Sequence, residues 1–274
     1  MNEEAGPPPP PALPPHLARR DEDAALWLRT INLMRKNPRI TLLPLAVTQA
    51  PFALVTASVF FYLFYSAYPE AKFDTLNWLG DAPGGLRLTM ALLGAAQSLF
   101  SLVGAAGTMV SVEALTKGKP LGLAQSLDPA FTRMGGLLVF AVVFNLLLLV
   151  TFIGLIVFVY FIARWGLAIQ AYVLDGRSIL SAFGLSWRLM RGRIMAFLAL
   201  LLTAIPLALL LLISTSLVFG LLASPFGTDP GRTTELVFQS IALFIVILTF
   251  IPVAAYLATS TTLFYFSARE ESDD

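Results

Sequence analysis

The sequence predicts an all-α fold: a six-helix transmembrane bundle with three amphipathic helices at its cytoplasmic interface. Of the 274 residues, 57% are hydrophobic and only 13% are charged, whereas about a quarter of the residues of a soluble domain are charged. The mean hydropathy is +0.77. Five uncharged runs each reach the roughly 20 residues that cross a bilayer; they cover residues 40–69, 88–112, 136–163, 194–228 and 236–268. A soluble enzyme, a nucleic-acid-binding module and a disordered chain are therefore excluded.

The number of spans depends on the stretch 136–174, which contains 39 residues and a single charge, Arg164. One continuous helix of this length would measure about 58 Å, against a hydrocarbon core of about 30 Å. We therefore expect the stretch to fold back near residues 151–154, where glycine loosens the helix. The six predicted spans lie near residues 40–66, 88–112, 136–151, 155–174, 194–222 and 237–266.

Lysine and arginine counts predict the orientation. The N-terminal segment, the second and fourth loops and the C-terminus together contain fourteen such residues, and the opposite side has only Lys72, Arg87 and Arg232. Both termini are thus expected in the cytoplasm, with the protein in a bacterial-type plasma membrane. Residues 1–20 are rich in proline and predict a disordered cytoplasmic arm, either solvated or docked on a proline-reading partner. The integral domain is expected over residues 21–268, followed by an acidic tail, 269–274.

Three segments resemble one another: residues 26–35, 121–133 and 179–191. A shift of 58 residues places Gly118 on Gly176 and Arg133 on Arg191, and a further shift of 98 places Arg35 on Arg133. Each segment precedes a predicted pair of spans. The sequence therefore predicts a threefold helix-plus-hairpin repeat, with units of about 22–112, 118–174 and 177–266.

The third segment is the clearest amphipathic helix. At about 100° per residue, its apolar side chains fall within one arc of roughly 100°; these are Ile179, Leu180, Phe183, Trp187 and Met190. Arg177, Arg188 and Arg191 lie opposite or beside that arc. Such a helix either lies in the inner membrane interface with its arginines toward anionic headgroups, or packs on the bundle, and the two are compatible.

The residues around this helix resemble a known family signature. It comprises Arg164-Trp165, Val173-Leu174-Asp175-Gly176-Arg177-Ser178, Ala182-Phe183 and Ser186-Trp187-Arg188-Leu189-Met190-Arg191-Gly192-Arg193. This pattern resembles that of the glycerophosphoryl diester phosphodiesterase membrane-domain superfamily, with Asp175 where glutamate is more frequent.

The resemblance implies a multi-pass membrane domain with amphipathic cytoplasmic helices and a link to lipids, with Asp175, Gly176, Ser186, Trp187 and Gly192 as structural motif residues. It implies no hydrolysis, because catalysis in phosphodiesterases that carry this domain belongs to a separate soluble barrel.

Arg164 is the most informative single residue, since it is expected about midway along the fourth span, where a charge is costly. It either binds an anion such as a phospholipid phosphate, or joins helices through amides, helix-end carbonyls or Glu113. Asp175 is expected to cap the following helix, and Gly176 to turn the chain.

Two further patterns concern helix packing. Small residues recur along the second span and predict a face for close helix contact; they are Gly94, Ser98, Ser101, Ala105 and Thr108. Prolines within spans predict kinks; they are Pro44, Pro51, Pro206 and Pro252.

The chain has no cysteine and one histidine, His16, so we expect no catalytic residues, metal or cofactor. The predicted function is non-enzymatic engagement of anionic lipids or membrane partners through a basic cytoplasmic face, with no nucleic-acid partner and the oligomeric state open. That face comprises Arg35, Lys36, Lys119, Arg177, Arg188, Arg191 and Arg193. The alternative is a transporter or exporter of a small or lipidic anion, which would use Arg164 in a cavity near the membrane midplane.

Overall fold

The computed structural model describes residues 15–68, 83–150, 155–223 and 231–273. Within these residues the fold is all-helical, as predicted. In chain order the helices are α1 (Pro15–Lys36), α2 (Pro38–Tyr62, continued by a π-helical turn, Leu63–Ala67), α3 (Gly84–Thr116), α4 (Leu123–Thr132), α5 (Met134–Val150), α6 (Leu155–Trp165), α7 (Ala168–Val173), α8 (Ile179–Leu189), α9 (Ile194–Leu202), α10 (Ala204–Ala223), α11 (Arg232–Thr249) and α12 (Ile251–Asp273).

Four helical segments of the described chain are long and apolar enough to cross a membrane: Pro38–Ala67, Gly84–Thr116, Ile194–Val218 and Arg232–Ser272. A fifth is obtained if the bent pair α4 and α5 counts as one span. These segments match the first, second, fifth and sixth predicted spans. The predicted turn at residues 151–154 lies outside the described residues.

Helices α2 and α3 form an antiparallel pair. At one end the Thr108 hydroxyl donates to the Thr41 carbonyl at 3.1 Å. At the other end Gly85 lies against the Tyr68 hydroxyl, and the Arg232 guanidinium donates to the Phe64 carbonyl at 3.1 Å. The start of α11 therefore lies at the same end of the bundle as the end of α2.

The fifth and sixth predicted spans are also antiparallel. Rings of Phe197 and Phe264 are 5.5 Å apart, the hydroxyls of Thr203 and Tyr256 are 2.6 Å apart, and Thr215 contacts Thr249 at 3.1 Å. Each of these spans is broken once, between α9 and α10 and between α11 and α12. Pro206 and Pro252 lie just beyond the breaks, because a proline cannot donate to the carbonyl four residues before it.

The stretch between residues 134 and 173 folds back on itself. The Arg133 guanidinium, just before α5, donates to the carbonyl of Tyr172 near the end of α7, and the Phe140 and Tyr172 rings are 5.5 Å apart. The predicted fourth span, 155–174, is not continuous, because α6 ends at Trp165 and α7 begins at Ala168. Two hydrogen bonds of the Ser186 hydroxyl support this break.

All three segments predicted to form amphipathic helices are helical, as α1, α4 and α8. Each is followed within a few residues by an apolar helix, and α4 meets α5 at an angle of 70°. The principal core is formed by all the helices from α3 through α9 together with α12. Its largest fully buried side chains include Leu137, Phe140, Leu167, Phe197 and Tyr265.

Helical structure extends into both predicted tails. Helix α1 begins at Pro15 and so includes the last six residues of the predicted arm; proline suits a first helical turn because its missing N–H has no partner there. Helix α12 extends to Asp273, so residues 269–273 are helical. They are held by ion pairs to the bundle.

The face of α3 that contacts α2 is rotated from the predicted small-residue face. A Cβ at Gly104 would lie 2.9 Å from the Leu45 Cα, whereas a Cβ at Gly94 would have nothing within 4 Å. Gln97 donates to Gln49 across the same contact. Thr108 belongs to both faces, but Gly94 does not contact α2.

We predict that Gly104→Val destabilises the protein by about 1–3 kcal/mol, because the added methyl groups force α2 and α3 apart. The measurement is the midpoint of heat-induced unfolding in detergent, followed by loss of the monodisperse chromatographic peak. Gly94→Val is the matched control on the same helix. Equal midpoints for the two variants would contradict the packing described here.

Candidate functional site

Asp175 anchors the turn between α7 and α8 to the last helix of the bundle. Its carboxylate accepts a hydrogen bond of 2.7 Å from the Tyr265 hydroxyl and pairs with Arg269, while the Arg177 Nε lies 3.6 Å away. Tyr265 and Arg269 are four residues apart and so lie on one face of α12. The predicted capping function of Asp175 is wrong, because the N-cap of α8 is Ser178 and the carboxylate faces α12.

Gly176 turns the chain beside Asp175. Its φ is +70°, a conformation that is unfavourable for residues with a Cβ. A Cβ here would also lie 2.8 Å from the Arg133 guanidinium, which crosses the turn to reach Tyr172. Gly176 therefore lets Arg133 tie the start of α5 to the end of α7.

Ser186 of α8 supports the break between α6 and α7. Its hydroxyl donates to the Arg164 carbonyl at 2.8 Å and accepts from the Leu167 N–H at 3.2 Å. Ser186 is fully buried. Since the break removes backbone partners, one buried side chain here replaces a carbonyl and an N–H of the helix.

Arg164 lies at the end of α6, one residue before its last, and not midway along a continuous span. Its guanidinium carbon is 4.6 Å from the Trp187 ring centroid and 5.4 Å from that of Tyr160, within the range of cation–π attraction. The guanidinium also donates to the Trp187 carbonyl at 3.4 Å. Of the partners considered from sequence, a helix-end carbonyl is thus the one it contacts, whereas Glu113 pairs with Lys117 at 2.6 Å.

We call the end of the bundle that contains α8, the start of α9 and the end of α12 the basic end. Two of its predicted anion-binding residues are paired within the protein: Arg177 with Asp175 and Arg193 with Glu271. Arg188 and Arg191 are exposed and form no ion pair with any described residue. The same holds for Arg35, Lys36 and Lys119.

Exposed apolar side chains lie close in sequence to the unpaired arginines, on α8 and at the start of α9. Leu180 of α8 is 85% exposed, and Met195 of α9 is 78% exposed. Trp187 is 39% exposed although its ring covers Arg164. The buried face of α8 consists of Ala182, Ser186 and Leu189. Helix α8 therefore presents to its surroundings a surface that is both cationic and apolar.

Gly192 has φ of +80° and lies in the turn that joins α8 to α9.

Among the described residues no group of three histidine, aspartate or glutamate side chains could hold a metal ion.

Three residues of this site were not predicted from sequence: Tyr265, Arg269 and Glu271. All lie on α12, at the end of the last uncharged run, in a region interpreted as span end and acidic tail. The signal that could have found them is helical spacing, since positions 265 and 269 share one face of a helix continued beyond the span.

Comparison of the chain with protein-family models, curated protein sequences and solved structures gives no match. The interpretation of this site therefore depends on its own geometry.

We predict that Ser186→Ala lowers the free energy of unfolding by about 1–3 kcal/mol, because the buried Leu167 N–H and Arg164 carbonyl lose a partner. Ser181→Ala, at an exposed serine of the same helix, is the matched control and should change little. Thermal unfolding in detergent measures both variants. A Ser186→Ala midpoint equal to that of Ser181→Ala would show that the bridge does not stabilise the break.

Proposed function

We propose that this protein is a non-enzymatic, multi-pass integral membrane protein whose basic end binds the headgroups of anionic lipids. The observation that carries the proposal is the surface of α8 and of the turn that follows it, where unpaired Arg188 and Arg191 accompany the exposed Leu180. A helix with a basic side and an exposed apolar side is suited to the membrane interface, where the apolar residues enter the lipid and the cations face anionic headgroups.

The division of charges at the basic end supports this proposal. Arg177 and Arg193 are partly buried and already have carboxylate partners within the protein. Arg188 and Arg191 are exposed and form no ion pair with any described residue. Their guanidinium groups are available to phosphate, which arginine binds with two parallel hydrogen bonds.

We further propose six spans arranged as a threefold repeat of an interface helix followed by a hairpin, with both termini in the cytoplasm of a bacterial-type cell. Three helices, α1, α4 and α8, each precede an apolar helix and support the repeat, as does the matching left-handed φ of Gly118 and Gly176. The short helices α5 and α6 would supply the third and fourth spans. We also propose that the protein is related to the glycerophosphoryl diester phosphodiesterase membrane-domain superfamily. Its proposed partners are membrane lipids and other membrane proteins.

Transport of an anion past Arg164 has less support. Two aromatic rings cover the guanidinium, and the residue lies at the end of a helix next to the α8 backbone. This environment suits an arginine that holds α6 and α8 together.

We predict that Arg188→Gln and Arg191→Gln each weaken the binding of phosphatidylglycerol about fivefold, since one basic residue near an anionic surface contributes about 1 kcal/mol. Native mass spectrometry of the purified protein, with phosphatidylglycerol and phosphatidylcholine in competition, measures the preference. Arg87→Gln at the opposite end removes the same charge and should leave the preference unchanged. An equal loss in all three variants would contradict a site at α8.

We also predict that positions at the two ends of the bundle lie on opposite sides of the membrane. Because the chain has no cysteine, single substitutions can be labelled without background. Lys119→Cys and Arg191→Cys should react with a membrane-impermeant maleimide only after the cells are opened, and Arg87→Cys should react in intact cells. Labelling of Arg191→Cys in intact cells would reverse the proposed orientation.

A further inference from the structure

An apolar groove of about 290 Å³ lies between α1, α9 and α12. Its walls include Leu26 and Trp27 of α1, Leu200 of α9 and Phe264 of α12. The Thr203 hydroxyl in its lining is already bonded to the Tyr256 hydroxyl at 2.6 Å. The rest of the lining consists of aliphatic and aromatic side chains.

The groove lies at the basic end of an apolar segment long enough to span a membrane. Its lining residues between Ala196 and Thr203 belong to the first ten residues of the candidate span Ile194–Val218. In a spanning helix ten residues rise about 15 Å, which is half of the roughly 30 Å hydrocarbon core and so matches the acyl-chain layer of one leaflet. Trp27 is 40% exposed, so the groove is accessible from outside the bundle.

An ion pair lies at the basic end of the groove and joins two of its walls. Arg193 pairs with Glu271. Arg193 precedes Leu200 by seven residues and Glu271 follows Phe264 by seven, so each charged residue lies two turns from a lining residue and on the same face of its helix. The pair thus lies over the end of the groove that faces the headgroup layer.

The two members of the pair differ in exposure. The Arg193 side chain is 16% exposed and that of Glu271 is 46% exposed. Glu271 can therefore return to water readily, and a half-exposed ion pair contributes little to stability. Arg193 is largely removed from water and needs an anionic partner where it lies.

We propose that this groove binds one acyl chain of an anionic phospholipid, whose phosphate replaces Glu271 on Arg193. The inference rests on the proposed function and assigns it a specific lipid site. The apolar walls select the chain, the largely buried guanidinium selects the anionic headgroup, and Glu271 occupies Arg193 when no lipid is bound.

The molecule contains a second groove that serves as an internal control. It lies between α2, α3 and α4, has a volume of about 310 Å³ and is lined by apolar residues that include Phe52, Phe100 and Phe131. Neither groove has a charged residue in its lining, but no ion pair among the described residues joins the walls of the second groove as Arg193 and Glu271 join α9 and α12. We expect the second groove to accept acyl chains without discriminating between headgroups.

The test uses the full chain in nanodiscs, with phosphatidylglycerol or phosphatidylcholine carrying the same photoreactive group on one acyl chain. Labelled peptides are identified by mass spectrometry. We expect peptides that contain Trp27 or residues 196–203 to be labelled about fivefold more by phosphatidylglycerol, and peptides of the second groove to be labelled equally by both lipids.

Variants separate the parts of the proposal. Ala199→Phe fills the groove and should abolish its labelling by either lipid, whereas Val55→Phe in the second groove should leave it unchanged. Arg193→Gln should remove the preference for phosphatidylglycerol. Glu271→Gln removes the competing carboxylate and keeps Arg193, so it should raise phosphatidylglycerol labelling severalfold. This variant tests the proposal even if Arg193→Gln does not fold.

Equal labelling of the α1, α9 and α12 groove by both lipids, or a preference that persists in Arg193→Gln, would overturn the assignment. So would occupation by a second copy of the chain, seen as protein–protein crosslinks at Trp27. Any of these results rejects only the groove if total phosphatidylglycerol binding still depends on Arg188 and Arg191. If total binding does not depend on these two arginines either, the proposed function is rejected as well.

Discussion

The constraint on which the rest of this structure depends is that backbone polar groups in apolar segments must find partners within the protein. Water is not available there, so the long uncharged runs can only be helices. Where a helix breaks, the orphaned groups need a replacement. Ser186 supplies one by bonding both the Arg164 carbonyl and the Leu167 N–H. The position of α8 thereby depends on a helix break about twenty residues earlier in the chain.

The charged residues at the basic end divide into two sets according to burial. Asp175 and Arg193 are largely buried and pair with the half-exposed Arg269 and Glu271, and these pairs join the turn before α8 and the start of α9 to the end of α12. Arg188 and Arg191 are exposed and remain unpaired among the described residues. The first set holds the amphipathic helix in place and the second set faces outward. The proposed lipid-binding surface and the ion pairs behind it thus use the same residue type, and burial distinguishes the two sets.

Sequence reasoning predicted the helices well and the contacts between them less well. Hydropathy located four segments that are long and apolar enough to span, and amphipathic spacing located α8, because both signals are local. The small-residue face predicted for α3 includes Gly94, which does not contact α2, and omits Gly104, which does, since the two glycines are equivalent by composition and only the position of α2 distinguishes them. Asp175 was interpreted as a helix cap because its partners, Tyr265 and Arg269, lie about ninety residues further along the chain.

The sequence by itself determined the all-helical class, the apolar segments and the uneven distribution of arginine, because each follows from the composition of a short window of residues. The tertiary structure alone decided which arginines are paired, where α6 ends and which residues close the groove between α1, α9 and α12. These features depend on distances between segments remote in the chain, and a local pattern contains no information about such distances. The ion pair of Arg193 with Glu271, 78 residues apart in sequence, exists only because α9 and α12 pack side by side.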